Sequence, residues 1–374
     1  MARKALTPAG EVQRAVARVN LAAIERNCAR LVRALTGGAA LCAVVKADGY
    51  GHGAAPCAAA ALRGGATWLA VASAAEAAAL REAGMKARVL IMGALTPAEI
   101  DVAAAADADV VTWNERFVAA LAGRALRVHV KLDSGMGRLG TRDLDQARRA
   151  VAAVDAAPGL TLAGVMTHFA TADEVGDAFL GEQLAAFAPF AAEVKRGHPR
   201  AVVHAANSAA TLREPATHFD LVRCGVAIYG LDPFQRDPAE QGLEPALDLR
   251  SYVAAVKPAA PGQSAGYGRR FVATEPTTLA TIPIGYGDGV RRALTNNADV
   301  LLGGRRHPLV GAVSMDNITV DLGAQTAVRC YDEAVLIGDG LLAEEWAQRL
   351  DTINYEVTCG LTQRVQRRYH RDGA

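Results

Sequence analysis

Aromatic residues are scarce in this chain of 374 residues: Phe, Trp and Tyr together make up 5%. The hydrophobic fraction still reaches 51%, so apolar content is aliphatic and rich in alanine, which favours helix. No CxxC pair occurs among Cys28, Cys42, Cys57, Cys224, Cys330 and Cys359. That spacing argues against a disulfide framework or a metal site and fits reduced thiols in a cytoplasmic protein. An excess of charge of one sign is also missing. Lys+Arg number 40 and Asp+Glu 39, a net charge of +1, so no global field draws the chain to nucleic acid or to an acidic membrane surface. The longest stretch without a charged side chain, Ala156 to Ala172, holds Pro158, Gly159, Gly164 and His168 and does not read as a membrane span. Arg3 and Lys4 have no apolar stretch behind them, so no secretory leader is visible.

The length suits two domains. Short β-rich runs alternate with Ala-rich segments of helical length through the first two thirds. The runs Leu41–Val45, Thr67–Val71, Arg88–Met92, Asp109–Thr112, Leu126–Leu132, Thr161–Met166, Ala201–His204 and Asp220–Arg223 read as strands. Ser73–Ala83, Pro97–Ala106, Leu144–Ala153 and Phe179–Lys195 read as helices. Such alternation implies parallel strands, and this many units match a closed (β/α)8 TIM-like barrel, with a doubly wound open sheet as the alternative. From about Leu243 the texture changes to short runs (Ser251–Val256, Thr277–Pro283, Val300–Leu302, Ile318–Val320, Ala334–Ile337) between Gly, Pro, Asn and Asp, with one helix, Leu341–Leu350. The expected organisation is a barrel over residues 15–240 and a mainly β domain over 241–374. The polar stretch Asp232–Glu244 is the expected linker, and residues 1–14 and the segment Arg14–Asn20 are candidates to join the second domain.

The chemistry collects at strand ends. In Ala43-Val44-Val45-Lys46-Ala47-Asp48-Gly49-Tyr50 an apolar run stops at one lysine. A desolvated lysine loses proton affinity and becomes a nucleophile for a carbonyl carbon. Taken alone, a solvated lysine at a strand end explains Lys46 as well. A barrel builds its site at the C-terminal ends of its strands. Lys131 and Asp133 end the fifth run and Arg138 follows it, His168 ends the sixth, Asn207 and Ser208 follow the seventh, and Arg223 ends the eighth, so all converge on one mouth. The loop Arg223-Cys224-Gly225-Val226 suits an anion, because glycine lets successive N–H groups approach it. Ser208, opening a helix, adds a hydroxyl, although a helix cap and a turn explain Ser208 and Gly225 individually. In the second domain Tyr267, Tyr286 and Tyr355 stand beside glycine or asparagine in expected loops.

Taken together, the lysine segment, Lys131 to Gly140, Thr167-His168-Phe169, Ala206-Asn207-Ser208, Arg223 to Gly230, the three tyrosines and Ser314-Met315-Asp316 resemble the alanine racemase family from about Arg18 to Arg367. That family pairs an N-terminal barrel binding pyridoxal 5′-phosphate with a C-terminal β domain. The resemblance implies that Lys46 bonds to the cofactor aldehyde. It gives the phosphate to Tyr50, Ser208, Gly225, Val226 and Tyr355, with Asn207 beside them in the cofactor set. Arg223 faces the pyridine nitrogen, supported by His168. Arg138 holds the cofactor's phenolic oxygen and the substrate carboxylate, which the Met315 amide also approaches. Lys131 matches a lysine that is often carbamylated and positions Arg138. Asp173, Tyr286, Arg292 and Asp316 match supporting or entrance residues. Tyr267 arrives from a second copy, so the implied unit is a homodimer with shared sites, acting on alanine without metal, nucleic acid or membrane.

Gly49, Gly287 and Asn317 depart from the commonest family pattern and bear on substrate preference. Racemisation needs a proton removed from one face of a flat centre and returned to the other. Lys46 and Tyr267 are the two groups the resemblance offers, and both ordinarily titrate at roughly 10, so their surroundings must make them bases. The rival functions are a broader amino-acid racemase acting on serine, lysine or arginine, an amino-acid decarboxylase, and a non-catalytic carrier of the cofactor. The role implied by the family is supply of D-alanine to peptidoglycan.

Overall fold

The computed structural model describes residues 14–372. Residues 1–13, candidates above for joining the second domain, lie outside the described residues, as do 373 and 374. The described chain divides into two compact units, residues 21–245 and residues 14–20 with 246–372.

Strand β1, Val16–Asn20, belongs to the second unit. The first unit is a closed barrel of β2 (Ala40–Val44), β3 (Trp68–Val71), β4 (Arg88–Ile91), β5 (Ala108–Thr112), β6 (Leu126–Lys131), β7 (Leu160–Met166), β8 (Val202–His204) and β9 (Leu221–Cys224). Each strand runs parallel to its neighbours, and β2 closes on β9 from Ala40↔Leu221 to Ala43↔Cys224. Every apolar run expected as a barrel strand is one. These strands are buried on both faces, which is why they read as runs rather than alternations.

The helices between them begin where capping chemistry starts them. Ser73 and Glu76 form a reciprocal capping box at the head of Ala74–Glu82. Thr96 with Pro97 opens Pro97–Ala105, Asn114 caps Glu115–Leu121, and Asp143 caps Leu144–Ala156. The longest helix, Phe179–Gly197, buries Gln183, Phe187 and Phe190 against the strands.

The stretch expected as a linker, Asp232–Glu244, is instead folded onto the barrel. Asp232 is fully buried and accepts from the amides of Phe234 and Arg236, while Asn27 clasps the backbone of Glu244 in both directions at 2.9 Å. Its polarity reflects backbone-capping side chains rather than a solvated tether.

The second unit is a nine-stranded sheet in the order Ala255–Ala259, Thr277–Ile282, Ile318–Asp321, Arg305–Val310, Asp299–Leu302, Glu333–Ile337, Leu247–Tyr252, β1 and Gln366–His370. All pairings are antiparallel except β1 with Gln366–His370. The expected strand Ser251–Val256 is two strands, Leu247–Tyr252 and Ala255–Ala259, broken where Val253 and Ala254 bond to Asp332 and Thr281. The helix Ala343–Arg349 is joined by a second, Asn354–Cys359, so Tyr355 stands on a helix rather than in the expected loop. A six-residue segment is too short for helical periodicity to show.

Candidate active site

Lys46 follows β2 at the C-terminal mouth of the barrel and is half-buried. The chain then makes one left-handed turn: φ is +51° at Ala47, +50° at Asp48, +62° at Gly49 and +53° at Tyr50. Each non-glycine residue held this way costs about 1–2 kcal/mol, so the turn must be pinned from outside. The Glu76 carboxylate accepts from the Ala47 amide at 2.7 Å, and Asp48 Oδ1 accepts from the Ala54 amide at 2.8 Å. The Glu76 that completes a helix cap thus also fixes the backbone beside Lys46. Its capping spacing was readable in the sequence; its second contact was not.

Four cations from three strand ends act on one imidazole. Burial holds His168 well below the usual imidazole range, and Arg223, Lys131, Arg138 and Lys46 push it the same way. Lys131, buried at the end of β6, is lowered to about 8 by desolvation first and then by Arg223 and Arg138, against the pull of Asp133. Arg138 is exposed on a loop tied by Asp133, whose carboxylate accepts from the amides of Gly135 and Gly137. Burial pushes Asp133 up, but these backbone bonds together with Arg142 hold it below the ordinary carboxylate value.

Arg223 lies on β9 and is 3% exposed. Its Nη1 donates to His204 Nδ1 at 2.8 Å; its Nη2 faces Thr167 O and Ala205 O at 2.9 Å and His168 Nδ1 at 3.2 Å. Burial lowers it to about 10, so it stays charged at neutral pH. Nothing among the described residues accepts from its Nε–H. Gln183, which sequence reasoning missed, fixes the neighbouring loop by donating to His168 O at 3.1 Å and accepting from the Ala170 amide at 2.8 Å.

At the same strand ends stands a cluster of hydroxyls and amides. Asn207, not Ser208, caps the helix Ser208–Arg213 by accepting from the Ala210 amide. Ser208 is thereby released from capping, and its Oγ accepts from the amides of Gly225 and Ala227, the second in the turn Val226–Tyr229. A Cβ on Gly225 would run into the Tyr50 hydroxyl and lie 2.7 Å from Tyr50 Cζ, so glycine there is what lets the phenol approach. Lys46, Tyr50, Ser208, Gly225 and Val226 thus belong to one strand-end cluster with Arg223 and His168. Asp173 stands apart, exposed on a loop that Arg213 holds through Ala172 O and Glu174 O.

The other expected residues belong to the β unit. Tyr286 and Gly287 donate their amides to Ser314 O and Met315 O, which brings Tyr286, Met315 and Asp316 together. Asp316 pairs with Arg364 at 2.6 Å, and the buried Asp288 below binds Arg364 and Arg14. Asn296 links the turn of Arg292 to Arg270 O and the Gly311 amide. Tyr267 is 75% exposed on the turn Tyr267–Arg269. Tyr355 is half-buried on its own helix. No helix among the described residues is long and apolar enough to cross a membrane, and no metal-ligating cluster occurs among them.

Comparison with known proteins gives one answer. Residues 19–233 match the model of the alanine racemase N-terminal domain and residues 246–369 that of the C-terminal domain. The chain is 43% identical over 382 residues to an alanine racemase of Frankia casuarinae, covering 98% of this chain and 99% of that one. It is 43% identical over 371 residues to that of Thermobifida fusca, covering 95% and 98%. Among solved structures, alanine racemase from E. faecalis superposes with a TM-score of 0.90 at 35% identity, covering 96% of this chain and 98% of that one. The enzyme from Streptomyces lavendulae does so with a TM-score of 0.89 at 38% identity, covering 96% and 98%. Two family models that between them take in nearly every described residue, and relatives this similar along their whole length, show that the chain belongs to the alanine racemase family.

Proposed function

We propose that this chain is an alanine racemase that interconverts L- and D-alanine with pyridoxal 5′-phosphate as its cofactor. The observation that carries the reading is the barrel-mouth arrangement. A cluster of hydroxyls and amides around Ser208, Gly225 and Tyr50 belongs to the same set of strand ends as four cations acting on His168. The donor set fits the group. The cluster suits a phosphate, Arg138 and Lys131 a phenolate or carboxylate, and the Nε–H of Arg223 a neutral ring nitrogen.

When bound, the cofactor makes the α-proton of an amino acid acidic by delocalising the electrons left behind. The protein supplies the rest. Lys46 would be the amine that holds the aldehyde carbon and the base that exchanges the α-proton on the D face. Tyr50, Asn207, Ser208, Gly225, Val226 and Tyr355 serve the phosphate end. Arg138 and the Met315 amide orient the substrate carboxylate, with Lys131 behind Arg138. Asp173, Tyr286, Arg292 and Asp316 shape the entrance.

Tyr267 exchanges the proton on the L face from a second copy of the chain. Its exposure supports that role, because a phenol projecting from the β unit is available to another subunit. The working unit in this reading is a homodimer in the cytoplasm, supplying D-alanine to peptidoglycan. The buried thiols Cys28, Cys42, Cys57 and Cys224, all pushed up by desolvation, suit a reducing compartment.

The test is α-deuterium washout in solvent exchange. Tyr267→Phe depresses washout from L-alanine more than from D-alanine, and equal losses from both would overturn the assignment of faces. A panel including serine, lysine and arginine measures substrate breadth.

A further inference from the structure

Behind Arg223 the barrel interior carries a line of polar side chains that the chemistry above does not use. Arg223 Nη1 lies 2.8 Å from His204 Nδ1, His204 Nε2 lies 2.9 Å from His129 Nδ1, and His129 Nε2 lies 2.9 Å from an Asp109 carboxylate oxygen. His204, His129 and Asp109 are each 0% exposed. They come from β8, β6 and β5, so the line crosses the barrel from its mouth toward the opposite side. Two arginines close it: Arg88 Nη2 reaches Asp109 at 2.6 Å and Arg127 Nε at 2.6 Å.

Elementary valence gives this line a direction. A guanidinium only donates, so His204 Nδ1 accepts and the His204 proton sits on Nε2. That N–H faces His129 Nδ1, which therefore accepts, and the His129 proton sits on Nε2, facing the carboxylate. The reverse sense would leave His204 with an acceptor at both nitrogens, which a neutral imidazole cannot be. A second proton on either ring would set two N–H groups against each other. Burial independently lowers the proton affinity of both imidazoles. Asp109 stays ionised: burial pushes it up, but His129 and Arg88 overcome that and hold it at about 2.

The sequence makes room for the line. Gly164 on β7 sits beside His129 in register, and a Cβ there would run into Val202 O and lie 2.6 Å from His129 Nδ1. The edge of His129 also meets the Trp68 ring, which Arg88 covers at 4.0 Å.

We propose that Asp109, His129 and His204 are positioning residues for Arg223. The anion at the far end polarises two neutral Nε2–H imidazoles in series, so the guanidinium meets a fixed acceptor and its remaining N–H is held toward the mouth. Only the last step, presentation of that N–H to the cofactor's ring nitrogen, rests on the function proposed above.

The test is tautomer-sensitive proton–nitrogen correlation on the full chain labelled at histidine, with cofactor bound and after its removal, His129 being assigned through its contact with Trp68. Both residues give neutral Nε2–H patterns that hold across about pH 5 to 8, where an ordinary histidine titrates. Asp109→Asn keeps the shape and an oxygen acceptor but removes the charge. It moves the Nε2–H proton signals of both His129 and His204 upfield. In the loaded enzyme it lowers kcat for alanine about tenfold with little change in KM, the scale on which outer partners tune metal-ligating histidines. An Nδ1–H tautomer or an imidazolium at either position overturns the proposal, as does a His204 signal that stays put while that of His129 moves. The wild-type tautomer measurement needs no variant and decides the matter if Asp109→Asn does not fold. A wild-type protein that shows the tautomers but leaves alanine unchanged sinks the functional reading instead.

Discussion

The Ser208 hydroxyl accepts the Gly225 amide at 3.1 Å and the Ala227 amide at 3.3 Å, joining the helix after β8 to the turn after β9. The contact is buried and joins the C-terminal ends of two directly paired strands, β8 and β9. Ser208→Ala leaves these amides without that acceptor. Leaving a buried donor unsatisfied costs about 1–3 kcal/mol, and a loss on this scale is expected in urea unfolding of the cofactor-free protein. The cofactor dissociation constant rises as well. An unchanged urea midpoint would show that water replaces the hydroxyl without loss.

Gly225→Ala drives a methyl group into the Tyr50 phenol. Tyr50 then has to leave, so the variant loses cofactor affinity for the same reason as Tyr50→Phe. The double variant binds about as weakly as the worse single one, because neighbouring residues are not additive. Fluorescence titration with pyridoxal 5′-phosphate reads this; fully additive losses would separate the two residues.

Arg223→Glu replaces an always-charged donor with a carboxylate facing two backbone carbonyls, Thr167 O and Ala205 O. Thermal stability falls. Among the turnovers that remain, half-transamination rises relative to racemisation, because a carboxylate favours a protonated ring nitrogen and a stronger electron sink. Product analysis by chiral chromatography and keto-acid assay gives the ratio, and an unchanged ratio rejects this role for Arg223.

Lys131 gives a pH dependence with a definite sign. Its folded value, about 8, lies below the ordinary 10.5. The unfolded chain therefore binds more protons between these values, and the group's contribution makes the fold more stable as pH rises through that window. Below about 8 the full penalty applies, on the order of 3 kcal/mol by the usual conversion. Lys131→Met removes this slope from the stability of the cofactor-free protein. A neutral amine also captures carbon dioxide, so carbamate labelling from 13C-bicarbonate rises as pH passes upward through about 8. Labelling that is flat with pH, or that persists in Lys131→Met, contradicts this.

Much of the barrel was legible in the chain because a parallel strand buried on both faces is mainly apolar. Leu41 to Val45 and Trp68 to Val71 therefore stand out between alanine-rich helices. Lys46, Ser208, Gly225 and Arg223 were legible as site candidates because each breaks or follows such a run at the end where a barrel keeps its chemistry. Periodicity did not separate Leu247–Tyr252 from Ala255–Ala259, because the break at Val253 is made by hydrogen bonds to Asp332 and Thr281. The second role of Glu76 was hidden behind a complete local explanation, a helix cap.

Local order along the chain thus settled the strand–helix alternation, the change to a β domain and the residue types at the strand ends, since these depend on side-chain polarity and near-neighbour spacing. Closure of β2 on β9 and the seating of β1 beside Gln366–His370 depended on pairings between distant segments, whose hydrogen bonds exist only once the sheets form. The same holds for His129 and His204. In sequence they are single histidines in two separate strand runs; only the folded barrel sets their rings 2.9 Å apart, out of reach of water, between an arginine and an aspartate.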